Sequence, residues 1–559
     1  MEFDLVIRGG TIIDGTGAPR RRGDVGIRGG RVTALGDVSG DASEVIEADG
    51  HIVAPGFVDI HTHYDAQVLW DRMLTISPWH GVTSVVMGNC GFGVAPTRPQ
   101  HRDLILRTLE NVEGMSIDAL RAGCGEAWAF ETFPQFLDAV ERRGTAINVG
   151  ALIGHTPIRT YVLGEEATER EATDEEVAQM RAIVAEALAA GAIGFATSKS
   201  PTHVGYEGRP VPSRAASFAE IETLAACLGD VDHGVMQATA GLGLFTDEFA
   251  ALQRRMRRPV SWTALLAGML GPDGHRRVLE QTSELQRQGV AVVPQVSCRP
   301  LVIEFQFKAP FPFESLEIFK PVSAADADGK RRIYADPDFR RAFRERAEGR
   351  VLGGRWSDTV ISECPSDPSL TERNLQEVAT ERGLHPADLA LDLALATDLE
   401  ARFRMAVANT DEAIVAELLQ HPATVLGLSD AGAHASQLCD ANFATHLLGH
   451  WTREKGVLEL EQAVRLLTSR PAEVFGLAGR GRLEVGAAAD VTVFDPESVG
   501  TTPLRRVRDF PAGADRLIAE AHGIRAVVVN GVMLREDGAD RLDPEGPLPG
   551  RLLRGGATA

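Results

Sequence analysis

The chain has 559 residues, 44% of them apolar and 24% charged, the balance of a globular protein with room for one large domain and a smaller one. Its formal net charge of -21 argues against an extended nucleic-acid footprint and against attraction to anionic membranes, so neither partner is expected. Six dispersed cysteines (Cys90, Cys124, Cys227, Cys298, Cys364 and Cys439) form no C-x-x-C pair, which speaks against a disulfide framework and for a reducing compartment.

The first runs, "FDLVIRGGTIID", "DVGIRGGRVTALG" and "EVIEADGHIVAPG", are β-branched and broken by Gly-Gly and Asp-Gly, the pattern of short strands joined by turns. No basic-then-apolar leader precedes them, and no apolar run approaches the roughly 20 residues of a membrane helix. A soluble, cytoplasmic protein is expected. The same texture returns in "ADVTVFDPESV" and "IRAVVVNGVMLRE", which predicts one small β-sandwich domain assembled from both ends, residues 1–54 with 479–540.

From 55 to 478, apolar runs alternate with amphipathic helices. Eight strands are predicted, in "FVDIHTH", "SVVMGNC", "AINVGALIGH", "AIGFATS", "HGVMQAT", "PVSWTALL", "VAVVPQVS" and "TVLGLSD". Between the fourth-strand run and the one before it, "TDEEVAQMRAIVAEALAAG" carries a capping box at Thr173 and Glu176 and a stop at Gly191. The alternation fits an α/β fold, a (β/α)8 TIM-like barrel with insertions. The expected insertion is 301–357, rich in Phe, Pro and charge, which reads equally as a lid or as a surface excursion. The tail, 541–559, is polar with Gly and Pro.

Side chains two apart on a strand share a face, so "VDIHTHYD" aligns Asp59, His61 and His63 at the C-terminal end of the first barrel strand, where barrel enzymes build their sites. Two neutral imidazoles converging on one point make half of a divalent-metal site. Asp430 ends "TVLGLSD" and Cys90 ends "SVVMGNC". A carboxylate and a thiol at strand ends can bind metal, or can be a helix cap and a small buried hydrophobe.

The stretches "GGTIIDGTG" and "VIEADGHIVAPGFVDIHTHYD", the later "SDAGAH" (429–434) and "GRLEVGAAADVTVFD" (481–495) resemble the amidohydrolase superfamily. Within it, "HTHYDAQ", "GVTSVVMGNCGFGVAP" and "GALIGHTPIR" resemble the N-acyl-D-amino-acid deacylases, over nearly the whole chain and in the family's order. The resemblance implies zinc held by His61, His63, Cys90 and Asp430. It makes Cys90 the ligand that replaces a carboxylated lysine, and Asp430 also the general base and then the acid toward the leaving amine. The implied reaction is hydrolysis of a non-peptide carbon–nitrogen bond by a metal-activated water, releasing a carboxylic acid and a free D-amino acid from a small N-acyl amino acid or related amide.

Those deacylases also supply one histidine from the fifth strand and one from the sixth. Here "HGVMQATAG" and "RPVSWTALLAG" offer Gln237 and the Ser261–Trp262 pair, and His233 lies near the wrong end of its strand. One zinc per chain is therefore expected rather than two. Five further polar residues are candidates for contact with substrate. His155, by resemblance, touches substrate or else packs in the core. Lys199 contacts substrate, faces solvent or is carboxylated between two metals. His203 contacts substrate or completes the metal sphere. Arg299 grips a substrate carboxylate or forms a structural ion pair. His434 bonds near the site or orients its loop. A ring-opening hydrolase of cyclic amides or imides and a non-catalytic binding barrel are the alternatives, and a homo-oligomer stays open.

Overall fold

The structure, a computed structural model, describes residues 1–556 apart from 315, 348–354 and 438. The end of the tail, 557–559, and those parts of the 301–357 excursion lie outside the described residues.

The eight predicted barrel strands form in order as β1 (Phe57–Asp59), β2 (Val82–Met87), β3 (Asn148–Gly154), β4 (Gly194–Ser198), β5 (Val235–Thr239), β6 (Val260–Thr263), β7 (Val292–Val296) and β8 (Val425–Leu426). Each pairs in parallel with the next. The circle closes beyond the last strand: the Asp430 N–H donates to His61 O (3.1 Å) and the His63 N–H to Ala431 O (2.7 Å). The metal-competent residues of both ends of the barrel thus sit on the seam itself. The strands are buried along their length and β-branched, as a parallel sheet covered by helices requires. The helix Asp174–Ala189 starts at the predicted capping box, where Thr173 Oγ1 accepts the Glu176 N–H (3.3 Å) and Glu176 Oε2 accepts the Thr173 N–H (2.7 Å).

Both chain ends contribute to one nine-stranded sheet. The join is antiparallel, Val53 against Val493, and the two ends share a core of Leu5, Ile7, Val25, Ile27, Val491 and Val493. The tail continues onto the barrel, where Leu552 and Leu553 pair in parallel with Val149 and Gly150 of β3.

The excursion after β7 is longer than the 301–357 stretch. Its first strand, Leu301–Gln306, pairs antiparallel with Arg402–Ala408, and that strand pairs with Thr359–Glu363. Phe305, Phe307, Phe313, Phe343 and Phe403 pack into a core separate from the barrel's. Asn409 closes its neck, donating to Ser297 O (2.9 Å) and Arg299 O (2.8 Å) while accepting the Ala267 N–H (2.9 Å). The return strand "RFRMAVA" alternates like any half-buried strand, so only its partner shows where the excursion ends. Among the described residues no helix is long and apolar enough to cross a membrane.

Candidate active site

The C-terminal ends of β1, β2 and β8 converge on a buried cluster. His61 and His63 leave β1 on one face with ring centroids 5.3 Å apart. Their ligand atoms and Cys90 Sγ all lie within 4.8 Å of one another, the only such group of three among the described residues. Asp430 Oδ1 is 3.3 Å from His61 Nε2 and 3.6 Å from His63 Nε2. Asp59 is buried below them, with Oδ1 accepting the His61 backbone N–H (3.2 Å).

Backbone geometry brings Cys90 into this group. It sits in "GNCGFG" with φ +56°, a left-handed conformation that costs a non-glycine residue about 1–3 kcal/mol. Its neighbours must be glycine. A Cβ on Gly88 would lie 2.2 Å from Leu152 O, and one on Gly91 2.9 Å from Ala196 O. Asp430 (φ +46°) and His434 (φ +48°) are left-handed too.

Two glutamines fix the cluster from behind. Gln295 Oε1 lies 2.7 Å from His61 Nδ1, and Gln295 Nε2 donates to Ser261 Oγ (3.0 Å). Because an amide oxygen only accepts, Nδ1 carries the proton and the Nε2 lone pair points into the cluster. Gln237 Oε1 accepts the Cys90 N–H (2.7 Å). So Gln237 and Ser261, where fifth- and sixth-strand histidines are looked for, belong to hydrogen-bond networks that hold the other ligands. Trp262 points away, its ring 5.8 Å from that of Phe249.

The electrostatics call for a cation. Burial pushes the carboxyls of Asp59, Asp65 and Glu113 up to about 7, about 6 and about 8. Burial also raises the Cys90 thiol, but His61 and His63 outweigh it and bring it down to about 6. At Asp430 burial is likewise overcome, by the nearby imidazoles of His63, His61 and His434, so it stays well below the usual carboxylate range. Two imidazoles, a readily ionised thiol and a carboxylate, among further buried acids, form a mixed N/S/O donor set that fits zinc.

These shifts have a sign that can be tested. In the metal-free protein each raised carboxyl is neutral in the folded chain and ionised in the unfolded one. For Glu113 this holds between its ordinary 4.5 and about 8, so its contribution to stability is lost as pH rises through that window. Asp59 and Asp65 act in the same direction between 3.8 and about 7 or about 6. Cys90 opposes them between about 6 and 9.0. The gain in metal-free melting temperature of Glu113→Gln over wild type is therefore expected to be larger at pH 8 than at pH 5. Paired melts in the presence of a chelator check this, and a gain that shrinks over that range would contradict it.

The other predicted residues separate. His155 is buried with both ring nitrogens used, Nδ1 by Thr197 Oγ1 (2.8 Å) and Nε2 by Glu220 Oε1 (2.8 Å). Both nitrogens are thus engaged within the protein, as the packing alternative requires. Lys199 Nζ donates to Arg214 O (2.7 Å) and Ala216 O (2.6 Å), so it ties down a turn. His203 lies outside the ligand group. Its Nδ1 is 2.7 Å from Ser198 Oγ and its ring 5.1 Å from that of Phe92, which in turn is 6.5 Å from His63. Burial lowers its pKa to about 3, so it is a neutral wall beside the cluster. Arg299 forms the structural ion pair, its Nε donating to Asp440 Oδ1 (2.7 Å). His434 donates its backbone N–H to Glu113 O and so orients the loop after β8.

Two nearby carboxylates escape sequence reasoning. Asp65 shares the His61 and His63 face by spacing, and its Oδ2 accepts the Gly88 N–H (3.0 Å). Glu113 Oε1 lies 3.2 Å from His63 Nδ1. Its signal is an acid four residues beyond Leu109 on a buried helix stripe.

The amidohydrolase family model matches residues 44–301 and 325–535. The D-aminoacylase of Alcaligenes xylosoxydans xylosoxydans is 32% identical over 543 residues, 96% of this chain and 95% of that one. The N-acyl-D-glutamate deacylase of the same organism is 31% identical over 576 residues, 100% and 98% of the two chains. Among solved structures, the N-acyl-D-glutamate deacylase of Bordetella bronchiseptica, complexed with zinc and a phosphonate mimic of the tetrahedral intermediate, superposes with a TM-score of 0.66 at 28% identity, over 99% of this chain and 100% of that one. Matches of this extent, on a barrel whose seam carries two histidines and an aspartate, show that the chain belongs to the amidohydrolase family, in its D-aminoacylase-like branch.

Proposed function

We propose that the chain is a deacylase of N-acyl-D-amino acids that works with one zinc ion, held by His61, His63, Cys90 and Asp430. The observation that carries the single metal is the engagement of Gln237 and Ser261 in hydrogen bonds behind the cluster, which leaves one compact donor group among the described residues. A zinc ion held there supplies Lewis acidity to the scissile carbonyl and acidifies the attacking water.

The chain's own residues do the rest. The imidazoles keep Asp430 ionised, so it takes the water proton during attack and returns it to the leaving nitrogen. Gln295 keeps the His61 proton on Nδ1, away from the reacting groups. His203 and Phe92 form a neutral wall beside His63. Arg299, fixed through Nε by Asp440, offers a guanidinium to a substrate carboxylate. The cyclic-amide reading loses its support with Lys199, which is bound to two backbone carbonyls.

Zinc-loaded protein assayed on a panel of N-acetyl-D- and N-acetyl-L-amino acids tests the reading. Release of free D-amino acid with about one zinc per chain is expected. Inertness toward the whole panel removes the deacylase assignment, and two zinc ions per active chain remove the single-metal one.

A further inference from the structure

Helix α1 (Arg102–Glu113) ends on Glu113 and is stopped by Gly114, which takes the left-handed conformation at φ +58°. Glu113 is only 3% exposed and shares its stripe with the buried Ile105 and Leu109. A carboxylate at that position opposes the helix dipole, and a hydrocarbon would suit the stripe better. Helix packing therefore gives no reason for an acid here.

The reason lies across the gap. Glu113 Oε1 is 3.2 Å from His63 Nδ1, and neither of these two buried atoms has a hydrogen-bond partner. The opposite edge of the same ring faces the cluster, with Nε2 3.6 Å from Asp430 Oδ1. The same helix end also holds the loop after β8: Glu113 O accepts the His434 N–H, and Gly114 O accepts from Ser436 Oγ (3.3 Å). One turn of α1 thus touches both a candidate ligand from the first strand and the loop that carries Asp430.

We infer that Glu113 is the positioning residue of His63. With zinc bound, its carboxylate closes that 3.2 Å approach and accepts the Nδ1–H as a hydrogen bond, which fixes that tautomer and leaves the Nε2 lone pair for the metal. Gln295 does the same for His61 through a neutral amide. The charged partner makes His63 the more basic of the two ligands. The inference rests on the zinc reading above.

The test is Glu113→Gln, which keeps shape and burial and removes the charge. Zinc affinity is read by competition with a chromophoric chelator, the ligand field by the visible spectrum of the cobalt-substituted protein, and folding by the melting temperature without metal. The variant is expected to bind zinc about 10–100-fold more weakly and to show a shifted cobalt spectrum, while its metal-free melting temperature stays at or above the wild type's. Unchanged affinity and spectrum would overturn the assignment. So would a metal-free melting temperature that falls along with the affinity, since that marks a merely structural residue. Wild-type protein that takes up no zinc would instead remove the zinc reading on which this one stands.

Discussion

Exchange of Asp430 for asparagine is expected to lower kcat/KM by about 10²–10⁴-fold at saturating zinc, the range a positioned general base contributes. Asparagine suits the test because it tolerates the left-handed backbone found there, φ +46°, so loss of activity is not confounded by strain. The amide keeps an oxygen near His61 and His63, now 3.3 and 3.6 Å from the carboxylate, but it cannot take a proton at neutral pH. His61→Ala offers the contrast, because it should lose zinc as well as activity. Turnover of Asp430→Asn within about fivefold of wild type at full zinc loading would show that the proton goes elsewhere.

The largest expected effect on stability lies under the site. Glu220 is buried and joins two helices, His155–Leu163 and Phe218–Val231. Both of its oxygens accept from Arg159 Nη1 at 2.5 Å, and Oε1 also faces His155 Nε2 at 2.8 Å. Arg159 is fully buried. Glu220→Ala leaves that guanidinium without its carboxylate, at a cost of about 3–5 kcal/mol. Glu220→Gln, which can still accept a hydrogen bond, should cost less. A chain of several domains need not unfold in one step, so the comparison is of the melting temperature of the barrel transition. Zinc stoichiometry per folded chain should stay the same in both variants. A Glu220→Ala protein that melts with wild type would mean that the pair contributes nothing.

These two predictions differ in how far the sequence leads to them. Asp430 is visible at the end of an apolar run, and His61 with His63 follow from the two-residue period of a strand. Cys90 is visible because the glycines around it mark a backbone that no other residue type could follow. The eight barrel strands are legible for the same reason: alternation and β-branching are short-range physics, written within a few residues. So is the capping box at Thr173 and Glu176.

His155, Lys199 and Arg299 look alike in sequence, each a polar residue just past a strand. Their roles depend on partners 65, 15 and 17, and 141 residues away. Which partner arrives is set by strand register and helix packing, and a single-residue slip would change it. Glu113 is the same case from the other direction: an ordinary helical acid until α1 docks its last turn against His63. What the sequence determined by itself was the barrel, its first-strand histidines and the aspartate that closes the seam. The tertiary structure decided which of the remaining polar groups point into the cluster and which are spent on holding it, because hydrogen bonds across a barrel join residues that nothing local relates.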